Sequence, residues 1–144
     1  VLLAIQREVG LNEYVNTGIS INGKLSPQLL GNIFISNTPL HDGAVILDGD
    51  TILAASCYLP LSENKNINKA LGTRHRAAIG LSEVSDAIVC IVSEETGAMS
   101  IAEGGQLMYN ISEETLRSLL LERLHQEESK SIIQKLREEL GGRA

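Results

Sequence analysis

The chain has 144 residues, 43% of them hydrophobic and 21% charged, the size and make-up of one globular domain that can bury a core without a disulfide framework or structural metal, which excludes a disordered or collagenous chain. Twelve Lys and Arg against 18 Asp and Glu leave a net charge of −6, which argues against a surface that grips DNA by neutralising its phosphates, so an anionic ligand has to be met locally. The four aromatic residues, Tyr14, Phe34, Tyr58 and Tyr109, are too few for a stacking track along a nucleic-acid strand, although one tyrosine can still stack one base.

In chain order, Val1 to Ile5 reads as an interior strand. It starts without methionine, as a fragment of a longer protein would. No stretch approaches the ~20 apolar residues of a membrane span and no signal-peptide pattern opens the chain, so this fragment is expected to be soluble, with any membrane anchor upstream. A short helical stretch around Asn12 to Asn16 precedes the alternating Ile19 to Lys24, which fits an edge or half-buried strand. Ser26 followed by Pro27 is an N-cap with proline at the first helical position, opening a helix with Leu29, Leu30, Ile33 and Phe34 on one side. Pro39 ends any such helix.

Gly43 to Leu47 and Thr51 to Tyr58 are β-rich runs around Asp48-Gly49-Asp50, a hairpin signal. Pro60 to Asn68 is polar and reads as a mobile surface loop suited to a lid. Lys69 to Leu81 is expected to contain a helix with Ala70, Leu71, Ala77, Ala78 and Ile79 inward. Ala87 to Val92 is the most continuous apolar strand. Ala98 to Ala102 and Gln106 to Tyr109 flank Glu103-Gly104-Gly105 as a second hairpin. Ser112, with Glu113 and Glu114, caps a helix expected to turn Leu116, Leu119, Leu120 and Leu124 to the core. From Gln126 a charged tail carries Ile132, Ile133, Leu136 and Leu140. Cys57 and Cys90, each alone in an apolar run, read as buried free thiols in a reducing compartment. The pattern gives a mixed α/β domain of about seven strands with helices on both faces of the sheet, residues 1–125, followed by a helical tail, residues 126–144.

Three segments carry residues suited to chemistry. His41-Asp42-Gly43-Ala44 stands where a proline-bearing loop enters a strand, which suits a metal ligand or base with a ligand close to the glycine backbone; a plain Asp-Gly turn is the alternative. Gly72-Thr73-Arg74-His75-Arg76 crowds two guanidiniums and an imidazole at a helix start. That pattern fits phosphate oxygens, the alternative being a solvated cationic turn. Ser93-Glu94-Glu95-Thr96-Gly97 follows the most buried strand and brings carboxylates to a strand end, or merely forms a solvated turn. Tyr58 at its strand end could sandwich a base or simply pack. His125 reads as a surface residue. No P-loop, dinucleotide fingerprint, zinc spacing or nucleophile elbow occurs.

Asp42-Gly43-Ala44 together with Arg74-His75-Arg76 resembles the signature of the diadenylate cyclase (DAC) domain. The likeness runs through Asn37 to Ala44, Leu71 to Gly80 and Val92 to Gly97 and covers roughly Val1 to Leu124. The resemblance implies the DAC-domain fold and condensation of two ATP into cyclic di-AMP with release of two pyrophosphates, using Mg²⁺ or Mn²⁺ at a site shared by a face-to-face homodimer. It implies a catalytic set of Asp42, Arg74, His75 and Arg76, with Thr73 joining the latter three on the phosphates and Asp42 binding metal and helping to deprotonate the attacking hydroxyl. Gly43 and Ala44 would approach the nucleotide, Tyr58 and Leu59 would form the adenine pocket, and Ser93, Glu94 and Glu95 would complete the phosphate and metal surroundings. Glu95 and His41 are then candidate metal ligands beside Asp42. The strand start favours the membrane-tethered branch of the family, with the domain on the cytosolic side, no DNA-binding module and a possible regulatory protein partner. A non-catalytic sensor of ATP or a cyclic dinucleotide, and an enzyme that transfers a nucleotide to another acceptor, are the competing readings.

Overall fold

The central strands β3 (Ala44–Asp48) and β5 (Ile88–Val92) are nearly continuous apolar runs, which fits strands that bury both faces. The computed structural model describes residues 1–124 and 136–137. Around β3 and β5 lie β1 (Leu2–Gln6), β2 (Ile19–Lys24), β4 (Thr51–Cys57), β6 (Met99–Glu103) and β7 (Gln106–Ile111), forming one seven-stranded sheet in the order β2-β4-β3-β1-β5-β6-β7. β1 and β3 run parallel, and every other neighbouring pair is antiparallel. The mixed sheet with flanking helices is the architecture expected from the sequence.

Strand parity divides the core. Leu2, Ala4, Ala44, Ile46, Val89, Ile91 and Ala102 share a cluster with Leu11 and with Ala77, Ala78, Ile79 and Leu81 of helix α3 (Thr73–Val84). The opposite parity, Val45, Leu47, Ile88, Cys90 and Ile101, is buried as well. Each large apolar side chain buried in this way contributes about 1.5–3 kcal/mol. Two short helices, α1 (Asn12–Val15) and α2 (Pro27–Ile33), precede β2 and β3. Ser26 caps α2 as expected, its hydroxyl accepting the Leu29 amide at 3.0 Å.

Both expected hairpins form. In the second, Gly104 and Gly105 take φ of 58° and 80°, the paired left-handed geometry that lets a two-residue turn follow the twist of its strands. The buried Ser82 hydroxyl donates to the Ile79 carbonyl and accepts the Gly105 amide at 3.0 Å, tying α3 to that turn.

Two expectations are corrected. α3 opens at Thr73, at the helix start expected around Gly72-Thr73, but Ala70 does not turn inward with it, because Asn68 captures the chain first: its side chain accepts the Ala70 amide and its carbonyl accepts the Leu71 amide. Such side-chain turns compete directly with helix formation, and Ala70 is exposed. The segment read as a mobile lid is anchored at its start. The Ser62 amide donates to the Arg76 carbonyl at 3.0 Å, and Pro60 to Ser62 runs against the bare Cα of Gly80.

Val1–Ile111 forms one compact unit, and Ser112 begins a second. In the second, residues 113–124 are helical. Ser112 caps them by accepting the Thr115 amide at 3.1 Å. Leu116, Leu119 and Leu120 are half-buried, whereas Leu124, expected on the same side, is exposed. The expected division at 125/126 falls at the limit of the described residues. His125, Ile132, Ile133 and Leu140 lie outside them.

Gly80 and Gly31 separate helix propensity from packing. A Cβ at Gly80 would meet the Pro60 carbonyl and lie 2.8 Å from the Ser62 amide nitrogen, whereas one at Gly31 meets nothing within 4 Å. Alanine favours a helix over glycine by about 1 kcal/mol, but overpacking against backbone costs about 1–3 kcal/mol. Gly80→Ala should therefore lower stability and Gly31→Ala should hold or raise it, as read from the denaturant midpoints of the two variants.

Candidate functional site

Topology brings the chemistry-bearing segments to one edge. Because β1 and β3 are parallel and β4 and β5 run against them, the starts of β1 and β3 meet the ends of β4 and β5, with Ala44 opposite Cys57 and Leu2 opposite Ile91. The residues just before β3, just after β4 and just after β5 therefore leave the sheet on the same side.

The α3 N-terminus faces this edge. Gly72 provides no side-chain cap and no acidic residue occupies the first turn, while Arg74 and Arg76 set positive charge against the helix dipole, at about 0.3–1 kcal/mol for a wrongly placed charge. Arg74 is relieved by Glu94, with Nη2 and Oε1 3.1 Å apart. That hydrogen bond, first, and the guanidinium charge hold the Glu94 carboxyl below its ordinary range, and the His41 imidazole adds a smaller contribution. Side chains 34% and 50% exposed gain little net stability from such a pair. Arg76, half-buried, has no ion-pair partner among the described residues.

A cleft of about 590 Å³ is lined by Thr73, Arg74, His75, Ser93, Glu94, Glu95 and Tyr109 among others. Ser93 shapes its acidic wall by accepting the Thr96 amide on its hydroxyl and the Gly97 amide on its carbonyl. His75 Nε2 is buried and meets no hydrogen-bond partner, and the ring lies 5.9 Å from Tyr109 at a 56° tilt. Burial is the main reason its pKa lies below the ordinary histidine value. Tyr109 is a cleft residue that sequence reasoning missed. Only its place on an exposed strand position four residues past a hairpin glycine pair marked it, and that is no site signal by itself.

Farther along the edge, His41 Nδ1 lies 2.9 Å from the Thr38 carbonyl, an acceptor, so Nδ1 carries a proton donated to that oxygen. Nε2 lies 3.6 Å from Asp42 Oδ1. The histidine is 18% exposed and the aspartate 81%, one fixed donor beside one open to a ligand. Gly43 has φ of 78°, and a Cβ there would lie 2.8 Å from the Cys57 carbonyl oxygen. Its glycine is thus demanded by the chain's own backbone, beyond any ligand approach expected from the sequence. Ala44 is buried and paired in β3. Opposite, Ser56 has φ of 56° and donates from Oγ to the Pro39 carbonyl at 2.8 Å, holding the loop that carries His41 and Asp42. Tyr58 is 75% exposed just past β4, and Leu59 packs partly into the core.

Thr73, Arg74, His75, Ser93, Glu94 and Glu95 thus share one cleft, while His41, Asp42, Gly43, Ala44, Tyr58 and Leu59 lie outside its lining on the same edge. Of the candidate metal ligands, His41 and Asp42 lie side by side and Glu95 stands in the exposed turn after β5. Among the described residues no three acidic, histidine or cysteine side chains of the one chain gather to hold a metal. The His41–Asp42 pair has the donor chemistry for a hard divalent cation that takes its other ligands from phosphate and water. Cys57 and Cys90 are free and buried, as expected, and burial pushes each thiol up to about 11.

The fold is a mixed α/β domain whose site edge gathers cations and an uncapped helix start suited to phosphate. A family model described as DAC, the DisA bacterial checkpoint controller nucleotide-binding domain, matches residues 1–107. The chain belongs to this family. It is 57% identical over 119 residues to the cyclic di-AMP synthase CdaA of Bacillus subtilis, covering 83% of this chain and 44% of that protein. To a diadenylate cyclase of Listeria monocytogenes it is 54% identical over 123 residues, covering 85% of this chain and 45% of that one. The chain therefore spans about half the length of these curated relatives. The crystal structure of a DacA double mutant from Staphylococcus aureus superposes with a TM-score of 0.83 at 52% identity, covering 85% of this chain and 81% of that one.

The burial of His75 yields a pH dependence with a definite sign. A histidine whose folded pKa lies below its unfolded value near 6.5 leaves the unfolded state binding more protons, so its contribution is complete above pH 6.5 and is lost as pH falls toward the folded value. Stability measured by denaturant unfolding should fall on acidification through this window, and His75→Gln should flatten the slope. An unchanged slope would place the titrating group elsewhere.

Proposed function

We propose that the chain is the catalytic domain of a diadenylate cyclase that joins two ATP into cyclic di-AMP and releases two pyrophosphates. The observation that carries this reading is the meeting of the α3 N-terminus, with its uncapped amides and Arg74 and Arg76, and the Asp42-bearing start of β3 at one sheet edge. The names of the curated relatives support it.

In each half-reaction a 3′-oxygen forms a bond to an α-phosphorus as the bond to the pyrophosphate oxygen breaks in line, and catalysis is mainly positioning and charge neutralisation. Asp42, open at the edge, accepts the proton of the attacking hydroxyl. Arg74, Arg76 and Thr73, with the α3 amides, hold the triphosphate, and their positive charge meets the charge gathering on the leaving pyrophosphate. Glu94 keeps Arg74 aimed into the cleft until phosphate competes for it. His75 remains neutral as a wall of the cleft, and Ser93 and Glu95 border the phosphates. Gly43 and Ala44 bring backbone close to the ribose, while Tyr58 and Leu59 receive the adenine. Mg²⁺ or Mn²⁺, held by His41 Nε2 and Asp42 with Glu95 nearby, would neutralise phosphate charge and favour ionisation of the hydroxyl.

One chain offers one such edge, so two chains face each other and each supplies one ATP. A regulatory protein partner and an anchor that holds the domain at the cytosolic face of the membrane belong to the same proposal. The relatives' greater length leaves room for such an anchor. Among the described residues no helix is long and apolar enough to cross a membrane.

The test is product analysis. With ATP and Mn²⁺ or Mg²⁺, mass analysis should find cyclic di-AMP and pyrophosphate; unreacted ATP would mark a sensor, and an adenylylated acceptor a transferase. Asp42→Asn should fold and bind ATP yet lose about a hundredfold or more in turnover. Arg74→Ala and Arg76→Ala should weaken ATP binding about tenfold or more as well as slow the reaction, because charge-assisted hydrogen bonds contribute about 1.5–3 kcal/mol. Calorimetry beside steady-state kinetics separates these effects. Specific activity should rise with enzyme concentration when dilute, since the competent species is the pair.

A further inference from the structure

We infer that Thr17 is a positioning residue for Tyr58, its hydroxyl setting the backbone from which that tyrosine presents its ring to the base of ATP. This rests on the proposed adenine-binding role of Tyr58. Tyr58 is the first residue beyond β4, where the sheet ladder ends. Its amide donates instead to Thr17 Oγ1 at 2.8 Å, and Thr17 Oγ1 donates to the Tyr14 carbonyl at 2.6 Å. A hydroxyl has one proton. With that proton committed to Tyr14, a lone pair is left for Tyr58, so the pair of bonds fixes a direction as well as a distance.

The tyrosine needs this support from its backbone. With the residue 75% exposed, little packing holds the ring where it is. The turn bearing Thr17 is itself locked to the strand end. A Cβ on Gly18 would run into the Ala55 carbonyl and the Cys57 sulfur and lie 3.1 Å from the Cys57 amide nitrogen, and Cys57 Sγ donates to the Val15 carbonyl at 3.9 Å. Residues 14–18 and the end of β4 are thereby one rigid piece. Thr17 is exposed and lines none of the described cavities, so its influence on a ligand passes through Tyr58.

The experiment compares two ligands by calorimetry in the 144-residue chain: 3′-deoxy-ATP, which has the base but no attacking hydroxyl, and inorganic tripolyphosphate, which has no base. Tyr58→Ala should weaken 3′-deoxy-ATP about tenfold, the effect of one lost base stack, and leave tripolyphosphate unchanged. Thr17→Val should weaken 3′-deoxy-ATP about three- to tenfold, leave tripolyphosphate unchanged and be rescued by Thr17→Ser, which restores the hydroxyl. The Thr17→Val, Tyr58→Ala double variant should bind no more weakly than Tyr58→Ala, because both act through one contact. Wild-type binding by Thr17→Val beside a weakened Tyr58→Ala would overturn the inference and leave the adenine reading standing. An unaffected Tyr58→Ala would overturn both. Equal loss of the two ligands in Thr17→Val would make the residue a general prop of the fold and likewise overturn it. Thr17→Ala is the second variant. If neither it nor Thr17→Val folds while Thr17→Ser does, the hydroxyl is a folding requirement and the inference fails.

Discussion

The pairing of β1 with β3 is the constraint on which the site depends. It is the one parallel pair in the sheet, and with antiparallel partners on its outer sides it turns two strand starts and two strand ends toward the same edge. Reversing either central strand would send Asp42 to the opposite edge from Ser93. Parallel pairs require a crossover, and here the crossover from β1 to β3 runs through α1, β2 and α2. The residues between β1 and β3 thus build the brace for the end of β4 while making the connection.

That edge carries charge in an arrangement that does not maximise stability. α2 begins with a serine cap and proline, whereas α3 begins with glycine and a cluster of cations. The difference lies in what each helix start must meet. α2 caps an amide with the Ser26 side chain, while α3 leaves its first amides without a side-chain cap beside Arg74 and Arg76, where the proposed triphosphate would meet them. Glu94 moderates the cost without cancelling it, since its carboxylate pairs with Arg74 while Arg76 has no ion-pair partner among the described residues.

Much of this was legible along the chain, for local reasons. The apolar runs of β1, β3 and β5, the alternation of β2, the glycine pair of the second hairpin and the Ser26-Pro27 start are signals carried within a few residues. Ala70 was expected inward because hydrophobic spacing is blind to the turn that Asn68 offers its neighbours, whose hydrogen bonds hold that stretch outside the helix. The anchoring of Pro60 to Ser62 depends on Gly80, eighteen residues away at closest, and composition marked that stretch as polar without seeing its partner. In the site, the clustered Thr73 to Arg76 and Ser93 to Glu95 were readable because they are contiguous. Tyr109, Ser56 and Thr17 were not, because each reaches its place through a contact across the sheet or from a neighbouring turn. Of the three metal ligands that the resemblance supplied, His41 and Asp42 are neighbours in sequence, while Glu95 comes from a different strand end, a placement that no local pattern fixes.

Cys57 ends β4 directly beneath the site edge, and Cys90 sits at the middle of β5 with its side chain on the opposite parity. Both thiols are buried and poorly ionised, so an alkylating reagent can reach them only when the chain around them opens. Nature has thereby placed two reporters within one sheet, one at its working edge and one at its centre. The ratio of their labelling rates measures how far the edge breathes independently of the core, without a probe being attached to the site.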